Sequence, residues 1–355
     1  MVGERQIFKL SGPAHLTAVD WSDPDHRRCI AASLVQGVVV QERDRQEHRH
    51  GPDAQAEKWW SFFKFKLIQP LYDGVDGSIF GSVYKWSRKA AGVCSRPAGA
   101  PKIVVAFRGT VKTRESLARD LRHDLHIFTN RLHTTSRFHT GFDAVKTNVD
   151  RHGCENVWIA GHSLGAAIGM LAGRKIAEAE GRFVEAHFFN PPFVSAPLER
   201  IKSKKIKRGL HFAGSVVKAG LAMTLHGKDT RIESQRMFSV LQWWVPCLYV
   251  NPQDDLCSGY VGYFGNQTAM QQKGAGGIAS LAAQHSIRVM VFSAFGKEAK
   301  AGHLIPSARL NVNRSSASDF QTVHGIHQWW APDIRIECTE FKLGTDQKSG
   351  GSLGG

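Results

Sequence analysis

The chain has 355 residues, 42% of them apolar, enough to bury a sizeable core and to exclude a wholly disordered polypeptide. Its formal net charge of +15 at pH 7, with an isoelectric point near 9.7, implies attraction to anionic surfaces, whether membrane, nucleic acid or acidic protein. No stretch reaches the roughly 18 consecutive apolar residues of a membrane-crossing helix, since the most apolar long segment, His211–Leu225, carries Lys218 in its middle, and MVGERQIFKL at the start predicts no secretory leader.

In chain order, residues 1–75 read as a helical lead-in. Asp23 or Asp25 is placed to cap a helix through Ile30–Val35. A polar break is expected over Glu42–Ala56, and Trp59-Trp60 with Phe62-Phe63 suggest a second helix packed on the body. Ser95–Gly99 has the Pro and Gly of a surface loop. Then β-type runs alternate with helical ones. Ile103–Phe107, Val157–Ala160, Phe183–Phe189 and Cys247–Val250 are short and apolar, as buried parallel strands require, and Ser163–Ala179 is helical. The alternation predicts a doubly wound, mostly parallel α/β sheet. Residues 1–343 are expected to form one domain, and Gly344–Gly355 a disordered tail. Cys29, Cys94, Cys154, Cys247, Cys257 and Cys338 are scattered and form no CxxC pair, so they read as reduced thiols of a cytoplasmic protein or one on a cytosolic membrane face.

Gly161-His162-Ser163-Leu164-Gly165 fits G-x-S-x-G, with a strand before it and a small-residue helix (Ala166, Ala167, Gly169, Ala172, Gly173) after it. That is the strand–turn–helix setting of a nucleophile elbow. The turn is so sharp that side chains two residues either side of the serine would clash. A serine hydroxyl needs a base, and the base needs an orienting carboxylate, in the chain order Ser, acid, His for this fold. Asp254, just past the strand Cys247–Val250 in Asn251-Pro252-Gln253-Asp254-Asp255, is the candidate acid, with Asp255 in reserve. The candidate bases are His285, His303, His324 and His327. The last two lie in HGIHQWW, whose Trp329 and Trp330 could wall an acyl pocket. No carboxylate or Cys stands at ligand spacing beside His324 and His327, so neither metal nor organic cofactor is expected.

These residues resemble the fungal-type (class 3) lipases. The resemblance rests on IVVAFRGT at 103–110, His139-Thr140-Gly141-Phe142 and the Gly161–Gly165 motif, in that order. Asn190-Pro191-Pro192, the Asn251–Asp254 turn and HGIHQWW are similar to a plant branch sometimes labelled GDSL esterase/lipase, although the chain has no GDSL motif. The resemblance covers the chain from about Ser11 to Trp330. It implies an α/β-hydrolase fold with cap insertions and an oxyanion hole from Thr110 and Leu164, and it favours His324 as base, with His327 the alternative. It implies a serine hydrolase acting on lipid or other acyl esters. Two features depart from the family: Asp255-Leu256, where members carry Val-Pro after the acid, and a long stretch between Asp254 and the histidines. They motivate a second reading, a hydrolase-like scaffold without turnover. A third, acyltransferase or thioesterase, differs in the acceptor or leaving group.

Arg200–Arg208 has six basic residues in nine positions. It reads first as a solvated helix face and secondly as a surface for peripheral contact with an anionic membrane. No nucleic-acid motif accompanies it. Asp120 and Asp124 read as a charged helix face or, less simply, a lid, and His48 and His50 as an exposed loop. His162 is expected to point away from the serine, and Arg108 to brace the elbow by pairing with a carboxylate.

Overall fold

Eight strands form a single sheet in simple chain order in the computed structural model, which describes residues 3–110, 132–193, 239–265, 305–316 and 319–342. Strands β3 (Ile103–Phe107), β4 (Val157–His162), β5 (Glu185–Phe189), β6 (Cys247–Val250) and β7 (Ala308–Asn313) are mutually parallel. The hairpin β1 (Phe65–Tyr72) and β2 (Ile79–Trp86) adds antiparallel to β3, and β8 (Ile336–Phe341) adds antiparallel to β7. Helices cover both faces, which is why the central strands are apolar throughout rather than alternating.

The period-two geometry of strands sorts their side chains between two cores. Ile103, Val105, Phe107, Val157, Ile159, Ala186, Phe188, Leu248 and Val250 face one layer, with α5 (Ser136–His152) and α6 (Leu164–Glu180). Val104, Ala106, Trp158, Ala160, Phe189 and Tyr249 face the other, under α2 (Pro24–Gln46). The short helices α1 (Phe8–Ser11) and α3 (Lys58–Ser61) pack on that second face, while α4 (Arg88–Ala91) follows β2.

Asp23 caps α2: its side chain accepts from Asp25 N, and Pro24 occupies the first turn, where its missing N–H costs nothing. The lead-in differs from expectation in three ways. Helix α2 extends into the expected polar break as far as Gln46, because Glu42 and Asp44 are buried and bonded, and residues 47–56 then interrupt the α-helix as expected. Glu42 accepts from Arg45 and Ile79 N, and Asp44 from Arg49, Gln55 N and Ala56 N. The second helix is a single turn, Lys58–Ser61, after which Lys64 turns the chain with a positive φ of 66°. The segment before residue 75 ends in strand β1, not helix, since pairing with β2 overrides its mixed FKLIQPLY pattern. Among the described residues no helix is long and apolar enough to cross a membrane. The expected lid (Asp120, Asp124), the basic run Arg200–Arg208, the segment to Leu225, the cap insertions, His285, His303 and the tail lie outside the described residues.

Candidate active site

The site lies at the carboxyl ends of the parallel strands, where open α/β sheets gather their functional loops. Strand β4 ends at His162, and α6 begins at Leu164, so Ser163 occupies the turn between them with φ 50° and ψ −120°. A non-glycine residue holds such a backbone only when its surroundings enforce it. They do. Ser163 N donates to Phe189 O at 2.9 Å, and Ser163 O accepts from Ala167 N. A Cβ on Gly161 would sit 2.5 Å from Gly165 O, and one on Gly165 2.4 Å from Phe107 O, so both flanking glycines are required by backbone contact. Leu164 N–H belongs to the first turn of α6, whose donors have no carbonyl four residues back.

His324, the last residue of α7 (Phe320–His324), bridges Ser163 and Asp254. Its Nδ1 lies 2.8 Å from Asp254 Oδ2 and its Nε2 3.1 Å from Ser163 Oγ. A carboxylate only accepts, so Nδ1 carries the proton and the Nε2 lone pair faces the hydroxyl. All three side chains are buried: Ser163 is 2% exposed, Asp254 0% and His324 8%. Burial pushes the Asp254 carboxyl up. The bond and charge of His324, with bonds from Asn190 and Leu256 N, outweigh it and hold the carboxyl below the usual carboxylate range. Asp255 is exposed beside it.

His327 stands apart. Its ring packs on Trp59 and Trp330, with centroids 6.5 and 5.0 Å away, and burial with the nearby Arg5 charge pushes its pKa down to about 4. Trp329 and Trp330 are likewise core residues rather than pocket walls: their indole N–H groups donate to Asn190 Oδ1 and Ser11 O. Leu164, the residue after Ser163, packs in a small apolar cluster with Leu256 and Phe320. The Phe320 ring lies nearly parallel to the His324 ring at 5.1 Å.

Thr110 follows β3 and is exposed; Gly109, just before it, abuts the elbow so closely that a Cβ there would lie 3.1 Å from Ser163 Cβ. Among the described residues, Arg108 makes no direct carboxylate pair. Its guanidinium donates to the Ile79 and Gly109 carbonyls, and Glu42 acts on it through charge. Burial pushes its pKa down to about 10. The bond to the Gly109 carbonyl orients the Gly109–Thr110 peptide, whose N–H is Thr110's. His162 points away from Ser163 Oγ, as expected, and its Nε2 meets the main-chain carbonyl of His324 at 2.7 Å.

Sequence reasoning missed the buried amides that hold Asp254 and the His324 loop together. Asn190, at the end of β5 with φ 45°, donates to Asp254 Oδ2 (2.7 Å) and Val323 O (3.0 Å). Gln328 Nε2 donates to Val323 O (2.7 Å) and Gly325 O (3.0 Å), while its Oε1 accepts from Asn251 and Asn313. Arg28 on α2 donates to Trp329 O, tying the lead-in helix to the same loop. The available signal is polar residues at strand ends, at Asn190, Asn251 and Asn313. Among the described residues no group of three or more His, Cys, Asp or Glu side chains could hold a metal ion.

The class 3 lipase family model matches residues 104–195, from β3 through the elbow to just past Asn190. An Arabidopsis thaliana protein named GDSL esterase/lipase At4g10955 is 46% identical over 352 residues, covering 96% of this chain and 99% of that one. No solved structure matches the chain. With a relative this similar over nearly its whole length, and the sheet and elbow described above, this chain belongs to the class 3 lipases, an α/β-hydrolase family.

Proposed function

We propose that the protein hydrolyses carboxylic esters, lipid acyl esters foremost, with Ser163 as nucleophile, His324 as base and Asp254 as orienting acid. One observation carries the reading: the His324 imidazole lies within hydrogen-bond reach of both Asp254 (2.8 Å) and Ser163 (3.1 Å), in the tautomer that can take the serine proton. Ser163 Oγ attacks the acyl carbonyl as its proton passes to His324 Nε2. The tetrahedral oxyanion forms against the N–H groups of Leu164 and Thr110, and His324 returns the proton to the leaving alcohol. Water, deprotonated by His324, then releases the acyl group from Ser163 and regenerates the hydroxyl. Asp254 holds the imidazolium that forms in each half. The apolar cluster of Leu164, which follows the serine, with Leu256 and Phe320, whose ring lies against His324, favours an apolar acyl chain over a charged one. The family, and the relative's name, support the same class of substrate. The net charge of +15 supports meeting that substrate at an anionic lipid surface.

The test is fluorophosphonate labelling of wild type, Ser163→Ala, His324→Ala and His327→Ala, beside hydrolysis of a short and a long acyl ester. Labelling and turnover should vanish in Ser163→Ala, fall steeply in His324→Ala and persist in His327→Ala. Preference for the long ester would favour lipase over esterase. A folded wild type that neither labels nor turns over either ester would replace this reading with the scaffold one.

A further inference from the structure

We propose that His162 is a positioning residue for the base: by donating Nε2–H to the main-chain carbonyl of His324, it sets the separation of the base from the nucleophile. The inference rests on the triad reading above and adds a residue to it.

The need for such a donor follows from the local fold. Helix α7 has five residues and ends at His324, so its last carbonyls have no N–H further along the helix to receive. Buried carbonyls without donors are costly. Three consecutive carbonyls accept from side chains: Val323 O from Asn190 and Gln328, His324 O from His162, and Gly325 O from Gln328, whose own N–H it also accepts. The middle one belongs to the base itself.

His162 is suited to this by its position in the chain. It pairs with Phe189 in the sheet, and the next residue, Ser163, donates its own N–H to Phe189 O, so the backbone of both is pinned to β5. From that fixed point the imidazole reaches His324 O at 2.7 Å, with the two rings 5.0 Å apart. The covalent and hydrogen-bonded path from nucleophile to base is thus one residue and one bond long. A carbonyl only accepts, so His162 Nε2 holds the proton and Nδ1 is bare. Gly109 leaves room for the ring: a Cβ there would come within 2.9 Å of His162 Nδ1. Burial, and secondly the nearness of His324, push the His162 pKa down to about 3, so the ring stays neutral and keeps its donor geometry while His324 cycles through its charged form.

The experiment measures kcat and KM on a soluble short-chain ester, with fluorophosphonate labelling rates, for wild type, His162→Leu, His162→Gln, His162→Phe and His324→Ala. His162→Leu removes the donor, and kcat should fall about 10- to 100-fold with KM nearly unchanged, the signature of a displaced base rather than a damaged binding site. His162→Gln, with an amide donor of similar reach, should recover most of that loss. His162→Phe keeps a ring without a donor and serves if the leucine variant does not fold. Wild-type kcat in the folded Leu or Phe variant, or a glutamine variant as slow as leucine, overturns the proposal. If His324→Ala is inactive while His162→Leu is not slowed, the triad stands and the inference alone falls. If His324→Ala turns over like wild type, the base assignment fails and takes the inference with it.

Discussion

Asp254 and Asp255 are chemically identical neighbours, and burial separates them. Asp254 is fully buried, and four donors point at its carboxylate, from His324, Asn190, Leu256 N and Cys257. Asp255 is exposed. Asp254→Asn should therefore lower kcat by about 10³–10⁴-fold, because an amide lets the imidazole adopt the wrong tautomer and cannot balance the imidazolium. Asp255→Asn should leave kcat near wild type. Steady-state kinetics of the two variants on one ester checks this, and equal losses would contradict it. At this scale Ser163 is legible in the sequence because its glycines are a steric requirement of the turn. Asp254 is legible because a carboxylate follows a strand end. His324 and His327 are not separable from the residues alone. They are three positions apart in one short segment, and the difference is which of them the β4 and β6 loops meet. Asn190 and Gln328 are less legible still, since an amide's role depends on which distant carbonyls lack donors.

Among the elements, the parallel strands are the readable part. Strands such as Ile103–Phe107 are buried on both faces, so their apolar runs announce them. The flanking strands do not announce themselves. β1 contains Pro70 and exposed Lys66 and Ile68 because it lies at the sheet edge, and β7 spends Asn311 and Asn313 on hydrogen bonds behind the site. The loop after His324 shows what those polar positions contribute. The turn Ile326–Trp330 presents Gln328 inward, where one amide satisfies two loop carbonyls and accepts from two strand-end asparagines. Gln328→Leu keeps the bulk and removes the amide: Val323 O keeps its Asn190 donor and Gly325 O the Gln328 N–H, but the Asn251 and Asn313 amides lose their acceptor. Each buried group left alone costs about 1–3 kcal/mol, so Tm should fall by several degrees. Turnover should fall with it, because the loop that carries His324 loses its fastening. Thermal denaturation and ester hydrolysis of the purified variant measure both. An unchanged Tm would mean that the loop holds itself.

Across the whole molecule, the titrating groups set how the fold responds to acid. His162 and His327 are half-buried and neutral, with pKa values that desolvation pushes down to about 3 and about 4, whereas an unfolded histidine titrates near 6.5. The unfolded chain binds more protons between those values, so their contribution is fully present above about pH 6.5 and is lost progressively as pH falls toward 4 and 3. Glu42 and Asp73 respond at lower pH. Burial pushes both carboxyls up, but Arg45, Ile79 N and the Arg108 charge at Glu42, and Ser136, Val75 N and Arg137 at Asp73, hold them below the usual range. A depressed carboxyl stabilises the fold above its unfolded pKa of about 4, and that stability is lost as pH falls through the lower folded value. Tm should therefore decline in two stages, one between about pH 6.5 and 4 and a steeper one below. His327→Phe removes one histidine from the first stage, at most about 1.4 kcal/mol per pH unit for one proton. Its Tm curve should be flatter between pH 6.5 and 4, and its pH–rate profile should match wild type. Glu42→Gln should lower Tm at pH 7, where Arg45 and Arg108 lose a charged partner, and flatten the second stage. Differential scanning calorimetry from pH 7.5 to 3 on the three proteins tests this. A wild-type Tm that stays constant down to pH 4 would show that these histidines protonate without strain to the fold.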